Sequence, residues 1–220
     1  MTRAPTGGPA VTPPQRFYYG RVIAATSFAA TFASVVFFNP VLGVFSSSLE
    51  EQFGWTRADV ALAITLGSAG AGIASPAIGW AIDRSGGGRV IALSALVMGG
   101  CLLALARMDA LWQLLVFYAL GRALAVGALA PAAFIAVANW YVRRRAFVTG
   151  IVAVGSRLGM ATLPVLVAIV IATTGSWRAG WVALALVIFT LGVAPPLLFM
   201  RRRPRRTSVW VRRSARGRTG

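Results

Sequence analysis

The chain is 220 residues long, 57% hydrophobic and only 12% charged. Soluble domains carry about 25% charged residues, so the composition excludes an ordinary water-soluble fold. The 22 basic residues are all Arg and stand against 5 acids, for a net charge of +17, with no His and a single Cys, Cys101. Those absences exclude a Ser-His-Asp triad, a His-ligated haem and any His or multi-Cys zinc site. One Cys excludes an intramolecular disulfide. No metal and no cofactor is expected. The exclusive use of Arg is read as the mark of a GC-rich, bacterial genome. A basic chain raises nucleic acid as a partner. Here the Arg residues sit between long apolar runs, which points to a lipid bilayer and away from nucleic acid.

In chain order, residues 1–20 are rich in Pro and Gly and are expected to form a disordered cytoplasmic segment. A membrane-spanning helix needs about 20 largely apolar residues. Six stretches meet that need: 22–45, 57–82, 90–106, 111–141, 147–173 and 181–200. The first is too long for a signal peptide and is followed by five more, so it is expected to be retained. None shows the periodic polar face of a surface helix. Thr56, with Asp59 three residues on, is a candidate capping pair for the second. Aromatic residues gather at the ends as an interfacial belt would require: Tyr18, Tyr19, Trp55, Trp112, Trp140, Tyr141, Trp177 and Trp181.

Arg placement predicts orientation. With the N-terminus inside, the inner segments hold Arg3, Arg16, Arg21, Arg84, Arg89, Arg143, Arg144, Arg145 and nine tail arginines, 17 in all. The outer loops hold Arg57, Arg107 and Arg178, which is 3. Both termini are expected in the cytoplasm, with the six spans in the plasma membrane.

The chain looks internally repeated. Pro40 and Pro131 lie 91 residues apart, Pro76 and Pro164 lie 88 apart, and Trp181 follows Val90 by 91. Spans one to three therefore map onto four to six. Three spans per copy makes the copies inverted, a transporter feature.

The turn after the second span reads Gly79-Trp-Ala-Ile-Asp83-Arg84-Ser-Gly86-Gly-Gly-Arg89. It resembles the signature loop between the second and third helices of the major facilitator superfamily. Arg122, Gly127 and Pro131 in the fourth span agree, as do Trp140, the 143–145 Arg turn, and Gly155, Gly159 and Pro164 in the fifth. The arrangement looks most like the branch of monocarboxylate porters and oxalate/formate antiporters. The resemblance implies an all-α integral membrane fold, with six helices as two inverted three-helix repeats forming half of a twelve-helix carrier. It implies a small organic anion as substrate, moved by alternating access. It also implies a C-terminal six-helix half, or a second copy, as partner. Gly87 and Gly88 depart from the family's basic residues at this loop.

The loop has a physical reading of its own. Gly79 would allow close helix packing. Asp83 would accept hydrogen bonds near a helix N-terminus, and Arg84 and Arg89 would pair with it or with anionic lipid. Together with Gly86 these residues form a candidate conformational latch.

Two arginines fall inside apolar spans. Arg122 lies roughly 16 Å from the start of the fourth and Arg157 about 15 Å into the fifth, at 1.5 Å per residue. Both are near the midplane of a core about 30 Å thick. No Asp or Glu accompanies them there. A planar guanidinium fork suits a carboxylate, so Arg122, Arg157 and Asn39 are the candidate substrate contacts. The alternative is that one arginine clamps helix carbonyls, a reading that is stronger for Arg157, and Asn39 serves equally to satisfy backbone freed by Pro40. The missing membrane acids favour uniport, anion exchange or entry with a weak acid over a protein-borne proton relay. Pro40, Pro76, Gly127, Pro131, Gly155, Gly159 and Pro164 are candidate packing or hinge positions, and Cys101 is expected to pack. Asn39-Pro40-Val41 is similar to a water-channel turn but sits in one long span.

Residues 201–220 form an Arg-rich cytoplasmic tail. A lipid anchor, a nucleic-acid arm and translation in a shifted frame remain open for it. Besides the half-transporter, a six-helix channel or half-size protein acting as a homo-oligomer stands as the second class. A membrane enzyme is disfavoured, because neither a His nor a membrane acid is present as general base.

Overall fold

The computed structural model describes residues 16–141 and 144–199. Six helices among them are long and apolar enough to cross a membrane: Gly20–Phe53, Arg57–Ile82, Gly87–Leu105, Leu111–Trp140, Arg145–Thr174 and Trp177–Pro196. They are called spans one to six below. No strand occurs among the described residues. The all-helical fold expected from composition is the fold found.

The first span differs most from expectation. Its helix begins at Arg16, inside the segment expected to be disordered, and it ends only at Phe53. It is also not one continuous rod. A helix over Arg16–Ser34 tightens to a 3-10 turn at Val35–Phe37. Phe38 is then extended, at φ −96 and ψ 159, and a second helix runs Asn39–Phe53 with Pro40 in its first turn. Pro is favoured there because its missing N–H has no helical partner to lose. The Asn-Pro pair thus opens a new half-helix, where a single unbroken span was expected. Pro131 behaves in part alike. A π segment at Ala125–Leu129 precedes it, and it sits in the first turn of Ala130–Trp140. Pro76 and Pro164 lie inside helices that continue past them.

Packing follows the internal repeat. Span one packs most extensively on five, two on four, and three on six. Exchanging the two halves maps the first pairing onto the second and returns the third to itself. Small residues make both close approaches. A Cβ on Gly155 would stand 2.6 Å from the Phe28 carbonyl oxygen and 2.7 Å from Thr31 Oγ1. A Cβ on Gly67 would stand 3.1 Å from Ala119 Cα and 2.8 Å from Arg122 Cβ. Gly155 is 88 residues after Gly67, while Ala119 and Arg122 are each 91 after Phe28 and Thr31. The two contacts are therefore equivalent, and Thr31 is the repeat counterpart of Arg122. Gly159 extends the first contact, with its Cβ position 2.9 Å from the Phe32 carbonyl oxygen. Gly127 packs span four on two, 3.3 Å from the Ala71 carbonyl oxygen by the same measure.

Two sequence expectations need correction here. A Cβ on Gly79 would meet nothing within 4 Å. That face of span two is open, so Gly79 makes no close helix approach among the described residues. Trp181 is 0% exposed and stacks on Phe45 at 3.9 Å. Span six starts at Trp177, one turn earlier than expected, which carries Trp181 inside the core and off the interfacial belt. Other readings hold. Thr56 and Asp59 form a reciprocal capping box, with the Thr56 N–H donating to Asp59 Oδ2 at 2.9 Å. Cys101 is buried in the core.

Candidate functional site

The break in span one exposes a carbonyl. In a regular helix the Val41 N–H would donate to Phe37 O, but it donates to Phe38 O at 3.1 Å. Phe37 O is left without its helical donor, in a buried part of the bundle. An unpaired buried carbonyl costs about 1–3 kcal/mol. Two side chains from span four supply the missing bonds. Arg122 Nη1 donates to Phe37 O at 2.8 Å, and the Tyr118 hydroxyl donates to the same oxygen at 2.9 Å. One helical turn separates the two donors, so they share a face. Gly121 between them leaves room for the Phe37 ring.

Arg122 is further fixed by span two. Its Nε donates to Ser68 Oγ at 3.0 Å, and Ser68 Oγ donates to Ile64 O at 2.9 Å. Its guanidinium also lies over the Phe38 ring, 5.7 Å from the centroid. The equivalent bond in the other repeat is direct: Thr31 Oγ1 donates to Val152 O at 2.8 Å. Val152 is 88 residues after Ile64. The carbonyl clamp expected more of Arg157 is made instead by Arg122. A guanidinium has five N–H donors. Two are engaged by Phe37 and Ser68, and the Tyr118 hydroxyl stands beside the same guanidinium.

Arg157 is placed differently. It is exposed, and it makes no hydrogen bond or ion pair among the described residues. Gly155 and Gly159 turn their face of span five onto Phe28 and Phe32, which puts Arg157 on the opposite side. The same register sets the Arg157 backbone near the level of Ala30, whereas the Arg122 guanidinium reaches Phe37 O. Among the described residues no contact joins the two arginines. Asn39 is exposed at the start of the second half-helix. Its side chain does not repair the backbone at Pro40, since Arg122 and Tyr118 do so. Tyr118, Ser68 and the Phe37 carbonyl were not singled out in the sequence. The available signal was Tyr118 one turn before Arg122, opposite a proline that must free a carbonyl.

The turn between spans two and three is one residue wide. Gly86 has φ +86, caps span two through its N–H to Ile82 O at 2.9 Å, and precedes the first residue of span three. That backbone conformation is one that glycine adopts without strain. Arg84 lies over Trp80, 5.2 Å from the ring centroid. Arg89 is exposed. The Asp83 side chain, Arg143, residues 1–15 and residues 201–220 lie outside the described residues, and so do the tail readings.

The opposite end of the bundle is tied together. Phe53 stacks on Trp55 at 4.5 Å and meets Trp177 edge-on, and the Trp177 indole N–H donates to Gln52. Arg178 pairs with Asp109 at 3.0 Å.

Six apolar helices in two exchangeable triplets, with arginines in mid-span, describe a multi-pass membrane protein. The family model described as Major Facilitator Superfamily matches residues 24–217, and the chain belongs to that family of transporters, which is not an enzyme family. No curated protein matches the chain.

Proposed function

We propose that the chain is one six-span half of a major facilitator carrier that moves a small organic anion, such as a monocarboxylate, across a bacterial plasma membrane by alternating access. Both termini face the cytoplasm, in keeping with the excess of Arg at the end of the bundle that holds Arg84, Arg89, Arg144 and Arg145. Anion exchange or entry with a weak acid is the coupling that suits a pathway without membrane acids.

The observation that carries this reading is the uncovered Arg157. A charge in mid-membrane costs at least about 2.5–3.5 kcal/mol when it faces hydrocarbon. It is tolerated where it faces water, protein or an anion. Spans five and two are also the least covered, with 22% and 17% of their apolar stretch buried against 39–56% for the others. The partner is accordingly a complementary six-span half, or a second copy, seated on spans two and five. Between the units Arg157 would face the anion, and Arg122 would join it through an N–H that Phe37 and Ser68 do not hold. Arg recognises a carboxylate through two parallel bonds, which adds geometric selectivity to charge.

The test is exchange of labelled lactate in proteoliposomes, with the chain reconstituted alone and with a complementary six-span unit. Exchange that needs the second unit and is inhibited by other monocarboxylates supports the reading. Exchange by the chain alone, as a defined oligomer, supports the homo-oligomer. Flux of neutral solutes in preference to carboxylates overturns the anion assignment.

A further inference from the structure

Away from the arginine pair, an open groove of about 290 Å³ runs between spans three and six, lined by Arg89, Ala92, Leu93, Leu96 and Val193. Arg89, Ala92, Leu93 and Leu96 are spaced as one face of a helix. At the level of Leu96 and Val193 the two spans touch. A Cβ on Gly192 would stand 2.9 Å from Ala95 Cβ, and Phe189 fills the space beside Gly99. Among the described residues the groove is therefore apolar, with one charged residue, Arg89, at the loop end of span three. From Arg89 to Leu96 is seven residues, about 10 Å. That is most of one leaflet's share of a core about 30 Å thick. The volume is below the roughly 300–1,000 Å³ of sites that enclose a small ligand.

We propose that this groove binds one anionic phospholipid, with an acyl chain along Ala92, Leu93, Leu96 and Val193 and the headgroup phosphate on Arg89. The occupant follows from charge and shape together. A small soluble anion would leave the apolar wall unused. A zwitterionic lipid would fill the wall but bring its own cation to Arg89. Among the described residues Arg89 has no hydrogen bond or ion pair, so its donors are available to a phosphate. The site stands apart from Arg122 and Arg157 and needs neither transport nor a particular leaflet.

The test is native mass spectrometry of the delipidated protein, with phosphatidylglycerol and phosphatidylcholine of identical acyl chains. Wild type is expected to retain phosphatidylglycerol about tenfold better, the scale of one charge-assisted hydrogen bond. Arg89→Gln should remove that preference, while Arg107→Gln, exposed at the opposite end, should keep it. Leu93→Trp, which fills the groove from an exposed position, should lower retention of both lipids. Circular dichroism checks that each variant is folded. Equal retention of the two lipids by wild type, or an undiminished preference in Arg89→Gln, overturns the proposal. So does displacement of the lipid by millimolar sn-glycerol 3-phosphate, which would show an anion site that makes no use of the chain.

Discussion

Arg122 donates to the carbonyl of Phe37 at 2.8 Å, across 85 residues of sequence, at the point where the first membrane span is broken. Tyr118 shares that oxygen. The bond gives a mid-membrane charge a structural role before any substrate is considered. It also binds the fourth span to the break in the first.

The clamp predicts a graded loss of stability. Tyr118→Phe removes one of two donors and should cost roughly 0.5–1.5 kcal/mol, the net worth of a hydrogen bond. Arg122→Met removes the charge-assisted bond as well as the link to Ser68, and should cost about 1.5–3 kcal/mol. Thermal unfolding in detergent measures both. Equal midpoints for wild type and both variants would show that the Phe37 carbonyl needs neither partner.

The glycine contact predicts a steric loss. Gly155→Val places its Cβ 2.6 Å from the Phe28 carbonyl oxygen, a backbone atom that cannot swing away. Overpacking of this kind costs about 1–3 kcal/mol. Gly150→Val, where a Cβ would meet nothing within 4 Å, is the control. The first variant should show reduced yield and a lower unfolding midpoint, and the second should match wild type.

The latch assignment predicts a kinetic effect. Asp83 closes span two at the tight Gly86 turn, remote from Arg122 and Arg157. Asp83→Asn should slow lactate exchange in the two-unit carrier with little change in apparent affinity. A large loss of affinity at unchanged maximal rate would place Asp83 in the binding site.

The spans were legible because length and apolarity are local properties. So was the Thr56–Asp59 box, whose partners are three residues apart. The break at Phe38 was not legible. A proline within a membrane helix is compatible with an unbroken rod, as Pro76 and Pro164 show, and only tertiary donors make the opened carbonyl at Phe37 affordable. For the same reason Tyr118 and Ser68 gave no sign of their role. Their partners lie 81 and 54 residues away. Trp181 was misplaced by one turn, because an aromatic near a span boundary reads as interfacial wherever that boundary is drawn.

Orientation has a direct check. In a Cys101→Ser background, an impermeant thiol reagent added outside intact cells should label Glu51→Cys, exposed at the end of span one, and spare Ser214→Cys. The reverse pattern would turn the bundle over and place the Arg-rich end outside.

The central claim is that the mid-membrane arginines meet a carboxylate, and binding to the two-unit carrier in proteoliposomes tests it most directly. Arg157→Gln should weaken carboxylate binding by roughly 1.5–3 kcal/mol, the worth of a charged hydrogen bond, with protein levels unchanged. Arg122→Lys keeps the charge but loses the fork, and should weaken binding by a similar amount, with Arg122→Gln weaker still. If Arg157→Gln and Arg122→Gln both bind lactate as well as wild type, the arginines serve only packing and the anion assignment is contradicted.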